Sequence, residues 1–352
     1  FDLPGKLRKL GVLPIPMDFL DLRNDEPTGD RVFQNMYWKY GQRILRAGGV
    51  IRDNSRLHAI YLSNFACGPD SFLIGYFKRV MAPKPSLVLE IDEHSADTGV
   101  VTRLEAFLES LSGAPATTLS RRIPLYPRGA TNARQRTLYI PWMGDQSYAL
   151  ASAFRACGRR AEVIAVSDQQ SIELGRRHCS GKECLPCIIT AGDMIGVTQR
   201  GDFDPSRAAF FMPGGSGPCR FGQYNCMQKL IMDDLGLAAV PIISLSQDKE
   251  FYDQCKQFAG DFSRLAWYGV CAFDVLLKAC LALRPYEIRA GQTDRVYQEW
   301  VGRLGDLIET RPSVAQLVEH LTRAAAQFAA IQVDRSRPRP RIGVVGEIYV
   351  RH

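Results

Sequence analysis

The sequence predicts an α/β protein of two lobes, with parallel sheets flanked by helices and a mainly helical segment at about residues 248–330. Two observations carry this prediction. Strand, loop and helix patterns alternate in both halves of the chain, and such alternation builds parallel sheets through right-handed crossovers. A stretch rich in Gly, Pro, Thr and Arg at 112–136 interrupts the alternation. We therefore expect a first lobe at 1–112, a linker at 113–136 and a second lobe at 137–352.

The first lobe has predicted strands at 56–64 and 86–91 and predicted helices at 72–80 and 100–111. Loops that follow parallel strands are where ligands bind, which places Cys67 and the polar loop 92–99 at a ligand-binding edge. That loop carries three carboxylates and one His, which suits a divalent metal or acid–base chemistry. Its spacing matches no metal motif, and capping of the next helix by Asp97 or Thr98 is the favoured interpretation.

The second lobe has predicted strands at 137–142, 162–166, 208–212 and 238–244 and predicted helices at 147–157, 171–178, 188–198, 224–235 and 314–330. A final apolar run at 341–350 is typical of a buried strand. A core strand usually continues into a turn and a helix, and position 1 is not Met. We therefore expect an internal piece of a longer polypeptide, the alternative being an edge strand that closes a sheet.

The composition excludes several classes of protein. With 46% hydrophobic and 23% charged residues the chain is an ordinary globular protein, not a disordered one. No leader is visible and no apolar run approaches the ~18 residues of a membrane helix, so we expect a cytoplasmic protein without a membrane partner. The net charge of +7 suits an anionic substrate such as a CoA ester or a nucleotide. The Arg- and Pro-rich stretch 335–341 lacks interleaved aromatic residues, which favours an exposed linker over a nucleic-acid site.

Ten cysteines are too few for a disulfide scaffold in a chain of 352 residues. Four of them lie in apolar or helical stretches and are predicted to be buried core residues: Cys157, Cys255, Cys271 and Cys280. The others stand beside Gly and Pro or, as with Cys226, close to such a loop. Those are the candidates for chemistry.

The strongest local motif is Cys179-Ser-Gly-Lys-Glu-Cys184-Leu-Pro-Cys187. Its Cys-x4-Cys-x2-Cys spacing is the order used by plant-type [2Fe–2S] ferredoxins, for which Cys219 is a candidate distant fourth ligand. Structural zinc on the same residues is the second interpretation, and simple packing in the core is the third. The loop that contains Cys219 is rich in Gly and Pro but is neither a dinucleotide fingerprint nor a Walker loop, so a tight turn remains its alternative role.

Four segments together resemble a known family. They are Asn64-Phe-Ala-Cys-Gly-Pro-Asp-Ser71, Glu90-Ile-Asp-Glu-His-Ser-Ala-Asp-Thr-Gly99 with Thr102-Arg-Leu-Glu-Ala-Phe107, Ser180-Gly-Lys-Glu-Cys-Leu-Pro186, and Gly217-Pro-Cys-Arg-Phe-Gly-Gln-Tyr224. The chain resembles the 2-hydroxyacyl-CoA dehydratase / benzoyl-CoA reductase-type superfamily. More closely, it resembles the corresponding region of large fused acyl-CoA dehydratase activase-related proteins. The segments lie in permuted order, as in an internal piece of a duplicated parent.

The resemblance implies Rossmann-like lobes and a cysteine-held iron–sulfur cluster, either [4Fe–4S] or a double-cubane cluster. The family's ligand positions fall on Cys67, Cys184 and Cys219, and either Cys179 or Cys187 can substitute. An ATP-hydrolysing activase lobe or subunit is the implied partner, an acyl-CoA is a candidate substrate, and a homodimer is a candidate assembly. No ATP site is expected in this chain.

The sequence thus leads to a functional hypothesis and one alternative. The hypothesis is an iron–sulfur electron-transfer or reductase component of an ATP-dependent lyase or oxidoreductase system, with Arg220 and Ser71 as candidate substrate-binding residues. The alternative is a non-catalytic scaffold unit with structural cysteines or zinc. The motifs identify neither the substrate nor a catalytic residue.

Overall fold

The computed structural model describes residues 2–22, 36–65, 67–112, 135–245, 253, 255–256, 259–336, 339–340, 342–347 and 349. They form parallel sheets flanked by helices, which confirms the predicted α/β class. The chain divides into two compact units. The first comprises Phe1–Gly129, Cys179–Cys184 and Ser216–Met227, and the second comprises Ala130–His178, Leu185–Gly215 and Gln228–His352.

The first unit contains α1 (Leu3–Lys9), α2 (Lys39–Asp53), β1 (Ala59–Asn64), α3 (Asp70–Met81), β2 (Ser86–Ile91) and α4 (Asp97–Ser112). Strands β1 and β2 pair in parallel, with Ala59 opposite Ser86 and Asn64 opposite Ile91. The predicted strands and helices of this lobe are all present, whereas α1 and α2 were not predicted. The loop before α4 is an ordinary turn, because the Asp92 carboxylate accepts from the Ser95 hydroxyl and the His94 N–H.

Two apolar contacts hold the first unit together. Leu89 of β2 packs with Leu7 of α1 and with Leu104 of α4, and all three side chains are buried. Helix α2 lies close to α3 because it presents glycine there: a Cβ atom on Gly48 would lie 3.1 Å from the Phe77 ring. Leu89 thus packs β2 against α1 and α4, and Gly48 allows α2 to approach α3, the helix that follows the loop with Cys67.

The second unit contains β3 (Thr137–Ile140), α5 (Gln146–Ala156), β4 (Ala161–Val163), α6 (Gln169–His178), α7 (Leu185–Thr198), β5 (Ala208–Phe211), the later turns of α8 (Tyr224–Asp234), β6 (Ile242–Ile243), α9 (Phe262–Leu283), α10 (Gln292–Glu309) and α11 (Val314–Ala329). The sheet order is β4-β3-β5-β6, and every pair is parallel. After β4 the chain crosses back past β3, so that β5 and β6 extend the sheet on the other side of β3.

An aromatic cluster forms the core of the second unit. The Phe154 ring of α5 stacks on Phe262 of α9 with 3.9 Å between centroids, and meets Phe211 of β5 edge-on at 5.1 Å. The predicted helical segment is confirmed by α9, α10 and α11, while residues 246–252, 254 and 257–258 lie outside the described part. The residues Phe262–Tyr286 meet the length and apolar content of a membrane span. Buried core helices meet them as well, and Leu265 and Phe273 are buried in this unit.

Two predictions about buried residues are wrong. Residues 342–347 form no strand, and Ile342 and Val345 are 82% and 88% exposed. Apolar and β-branched residues favour a strand only where a neighbouring strand supplies the ladder, and none pairs with 342–347 among the described residues. Cys271 is exposed rather than buried, because it lies on the outer face of α9. Cys255 and Cys280 are fully buried as predicted, and Cys157 is half-buried where α5 ends.

Helices α6 and α7 pack at a distance that only glycine permits. A Cβ atom on Gly192 would lie 1.7 Å from the Ser171 carbonyl oxygen, and one on Gly175 would lie 1.9 Å from the Ile188 carbonyl oxygen. Backbone atoms cannot swing away as a flexible side chain can. These two glycines therefore determine how closely α6 and α7, the helices that follow β4, can pack.

Gly192→Ala is expected to destabilise the protein by about 2 kcal/mol or more, because the helices must separate to admit the methyl group. Gly302→Ala is the matched control, since Gly302 lies within α10 with nothing inside 4 Å of its Cβ position. The control should gain about 0.5–1 kcal/mol from helix propensity. Urea unfolding measures both changes, and equal stability of the two variants would contradict the packing argument.

Asp193 of α7 is a buried carboxyl group, and the residue is 4% exposed. The Ser167 hydroxyl donates to its Oδ2 atom over 2.8 Å. Burial raises the pKa of Asp193 to about 6, against the opposing effect of hydrogen bonds from Ser171 and Ser167. Because the unfolded value is about 3.9, the folded protein holds this proton more tightly, and its stability falls as pH rises from about 4 to 6.

Asp193→Asn should therefore gain stability relative to the wild type, by on the order of 2 kcal/mol, between pH 4 and pH 7. Asp204→Asn is the control, because the Ser206 hydroxyl and N–H lower the pKa of the Asp204 carboxyl and the sign of the pH dependence reverses. Chemical denaturation at the two pH values measures the difference. A difference between Asp193→Asn and wild type that is independent of pH would refute the assignment.

Candidate functional site

Three loops of the first unit carry the candidate ligands Cys67, Cys184 and Cys219. The first loop follows β1 directly. The Cys67 N–H donates to the Asn64 carbonyl oxygen over 3.0 Å, and the Ser71 hydroxyl donates to the Gly68 carbonyl oxygen over 2.6 Å. These bonds close a tight turn into α3, so that the half-buried Cys67 lies between the end of a strand and the start of a helix.

Asp70 organises the surroundings of Cys67. Its two carboxylate oxygens accept from the Tyr61 and Ser63 hydroxyls, over 2.8 and 2.6 Å. Burial raises the pKa of the Cys67 thiol, while the Asp70 N–H and the charge of Arg220 act in the opposite direction. The carboxylate of Asp70 is itself fixed by β1, so it is a rigid neighbour of the thiol.

The second loop, 179–184, folds around a buried glutamate. Oε1 of Glu183 accepts from the N–H and the hydroxyl of Ser180, and Oε2 accepts from the Lys182 N–H. Gly181 takes a positive φ of 85°, a conformation that favours glycine. Burial raises the pKa of Cys179 to about 12, and Cys184 is half-buried at the end of the loop.

The third loop, 216–223, is held by aromatic side chains that precede α2. The Tyr37 hydroxyl donates to the Cys219 carbonyl oxygen over 2.6 Å, and the Trp38 indole N–H donates to the Gly217 carbonyl oxygen over 3.0 Å. Both bonds go to main-chain atoms, so they fix the path of the loop and leave the Cys219 side chain exposed.

Arg220 links the three loops. Its Nη1 atom donates to the Ser71 hydroxyl over 2.9 Å and approaches the Lys182 carbonyl oxygen at 3.5 Å. A Cβ atom on Gly68 would lie 3.8 Å from Arg220 Cδ, so the side chain also lies along the Cys67 turn. Lys182 in turn forms an ion pair with Glu90 of β2. The structure thus brings together the loops that carry Cys67, Cys184 and Cys219, with Cys179 in the second of them.

Cys187 has a different environment from the other candidate ligands. It lies in α7 of the second unit and is fully buried. All ten cysteines fall within the described residues, and none forms a disulfide. Cys226, in the first turns of α8, is buried in the first unit.

The spacing of the cysteines suggests two kinds of metal centre, a lone zinc ion and an iron–sulfur cluster. Over the described ranges, no three His, Cys, Asp or Glu side chains stand close enough to hold a single metal ion. A lone zinc ion needs four ligands at 2.0–2.3 Å, roughly, in a tetrahedron. An iron–sulfur cluster contains bridging sulfide and is bound by thiolates that stand further apart. The described loops therefore offer no ready site for a lone ion, whereas Arg220 joins the three loops that would carry the thiolate ligands of a cluster.

Comparison with protein families, curated proteins and solved structures gave no match. The resemblance carried by the four sequence segments therefore stays a prediction.

Sequence reasoning located the loops but missed the residues that hold them. Tyr37, Trp38 and Glu90 make the decisive contacts, yet Tyr37 and Trp38 precede their partners by about 180 positions. The one signal in the sequence was the pair of adjacent aromatic residues before a helix, and such pairs serve many other structural roles. Arg220 and Ser71 are the predicted substrate contacts, and the structure gives them a hydrogen bond to each other.

A double-mutant cycle tests the link between the loops. Arg220→Ala and Ser71→Ala should be coupled by about 1 kcal/mol in unfolding free energy, because each change removes the same half-buried hydrogen bond. Ser110→Ala is the control partner, since the Ser110 hydroxyl bonds only locally within α4. Additive effects of Arg220→Ala and Ser71→Ala would show that the bond contributes nothing to stability.

Thiol alkylation tests the environment of Cys179. In metal-free protein, labelling of Cys179 by iodoacetamide should rise about tenfold per pH unit from pH 8 to pH 10, because only the thiolate reacts and burial raises the pKa of this thiol to about 12. The exposed Cys219 and Cys271 provide reference peptides for mass spectrometry. A labelling rate for Cys179 that levels off near pH 9 would contradict the buried environment.

Proposed function

We propose that this chain is an iron–sulfur electron-transfer or reductase component whose cluster is held by Cys67, Cys184 and Cys219. The observation that carries the proposal is the convergence of three cysteine-bearing loops on Arg220 within one compact unit. Thiolates on short, hydrogen-bonded loops are the usual ligands of iron–sulfur clusters.

When bound, the cluster would supply one-electron chemistry, and the protein would supply position and charge. Arg220 lies where the three loops meet, and its positive charge would offset the negative charge of the thiolates. The Asp70 N–H and the charge of Arg220 favour the Cys67 thiolate, which is the ligand form, whereas burial and the Asp70 carboxylate oppose it. Three thiolates leave one iron of a four-iron cluster without a protein ligand from this set, and Cys179 is an additional thiol on the same group of loops.

Arg220 and Ser71 are proposed to contact an anionic part of a small substrate, such as the carboxylate or phosphate groups of an acyl-CoA. A guanidinium carries five N–H donors, so the bond to the Ser71 hydroxyl leaves donors for an anion. The wider proposal follows the family resemblance. It includes Rossmann-like lobes, an ATP-hydrolysing activase as the source of the electron, a cytoplasmic location, and no nucleic-acid or membrane partner.

A second candidate function is a scaffold unit whose cysteines are structural. It is favoured by the raised pKa of the Cys67 and Cys179 thiols, because burial keeps both protonated when no metal is bound. In that case the loops would serve to stabilise the first unit or dock a partner. Structural zinc belongs to the same alternative.

Anaerobic reconstitution with iron and sulfide separates the two functions. The reductase proposal predicts a brown protein with comparable amounts of iron and sulfide per chain, whose visible absorption bleaches with dithionite and returns on oxidation. Zinc content is measured on the same samples as the control for the structural alternative. A colourless protein that retains no iron after reconstitution would overturn the proposal.

A further inference from the structure

The outer face of α9 is an exposed stripe that the proposed cluster site does not use. Its members are Arg264, Trp267, Cys271, Asp274, Val275, Lys278, Leu281 and Ala282. Trp267 is 66% exposed, and Val275 and Leu281 are each more than half exposed. On the opposite face of the helix, Leu265, Phe273 and Leu276 are buried in the second unit. The outer face of the helix thus combines exposed apolar residues with the charged Arg264, Asp274 and Lys278.

The exposed residues have the spacing of a helix–helix seam. At 100° per residue the whole stripe occupies about one third of the helix circumference. Trp267, Cys271, Asp274, Lys278 and Leu281 follow one another at alternating steps of four and three residues. This is the spacing at which one helix packs along another. Asp274 and Lys278 form the polar centre of the seam, between apolar ends.

We propose that a second copy of this chain packs against the stripe, with the two α9 helices antiparallel about a two-fold axis. The charges argue for this occupant and this direction. In the antiparallel arrangement Asp274 faces Lys278 of the second copy, and symmetry repeats the pair. A parallel arrangement would place Asp274 against Asp274 and Lys278 against Lys278, which is repulsive.

In the same register Trp267 falls opposite Pro285 of the second copy, two residues past the end of α9. With Asp274 opposite Lys278, Cys271 falls opposite Leu281 of the second copy, again twice by symmetry. The Gln146 side chain donates to Asp274 Oδ1 over 2.6 Å, so this carboxylate is already oriented before association. A membrane-spanning role suits the helix less well, because Asp274 and Lys278 would lie near the centre of the span, where charge is costly.

The contact is small. One helix face offers less than the roughly 800 Å² per partner of a standard interface, so the dimer should be weak and depend on concentration. This proposal does not rest on the iron–sulfur site. A protein that dimerises but binds no iron would support the dimer and contradict the iron–sulfur proposal. A protein that binds iron but stays monomeric would do the reverse.

Charge reversal tests the register directly on the full-length chain. Asp274→Lys and Lys278→Asp should each weaken self-association by about tenfold or more, because each converts two attractive pairs into two repulsive ones. An equimolar mixture of the two variants should associate again, since every facing pair is then opposite in charge. Sedimentation velocity measures all three samples, and thermal melting checks that each variant is folded.

A folded mixture that stays monomeric, or a wild type that is monomeric at every concentration, would overturn the proposal. So would flotation of the wild type with vesicles that depends on Trp267 and Leu281. Cross-linking is a second measurement, and it still tests the register if a charge variant folds poorly. Under mild oxidation Leu281→Cys should form a disulfide-linked dimer through Cys271 of the other copy. The double variant Cys271→Ser, Leu281→Cys should not, and equal cross-linking of the two would contradict the register.

Discussion

The hydrogen bond from Arg220 to Ser71 is the interaction on which the candidate site depends. It joins the loop after β1 to the loop 216–223, and the approach of Arg220 to the Lys182 carbonyl oxygen adds the loop 179–184. Ordering three loops costs conformational entropy, and one hydrogen bond contributes only about 1 kcal/mol net. Bonds from Tyr37 and Trp38 to the same loop supply the remaining restraint.

The electrostatics of the site follow from burial. Burial raises the pKa of Cys67 and Cys179, so the metal-free thiols hold their protons at neutral pH. Metal ligation needs thiolates, so the proposed cluster would release those protons on binding and would bind more tightly as pH rises. Arg220 provides the positive charge that favours the deprotonated state of Cys67.

The sequence predicted much of the fold because hydrophobic periodicity and turn residues act locally. The strand 86–91 was placed correctly, and α3 and α5 were found to within two residues at either end. The predictions that failed concern features that depend on residues far away in the sequence. The run 342–347 has a strand's composition but gains no neighbour among the described residues, and Cys271 shares its helix with the buried Cys280 but faces outward. The cysteine loops were visible as motifs, whereas the aromatic side chains that hold them could not be paired from sequence.

The most direct measurement is the iron content of single Cys→Ser variants after anaerobic reconstitution. If Cys67, Cys184 and Cys219 ligate one cluster, each of the three variants should lose most of its iron and its visible absorption. Cys157→Ser, at the end of α5 in the second unit, should retain both. Iron retained in full by the Cys67, Cys184 and Cys219 variants, or lost equally in all four, would contradict the proposed site.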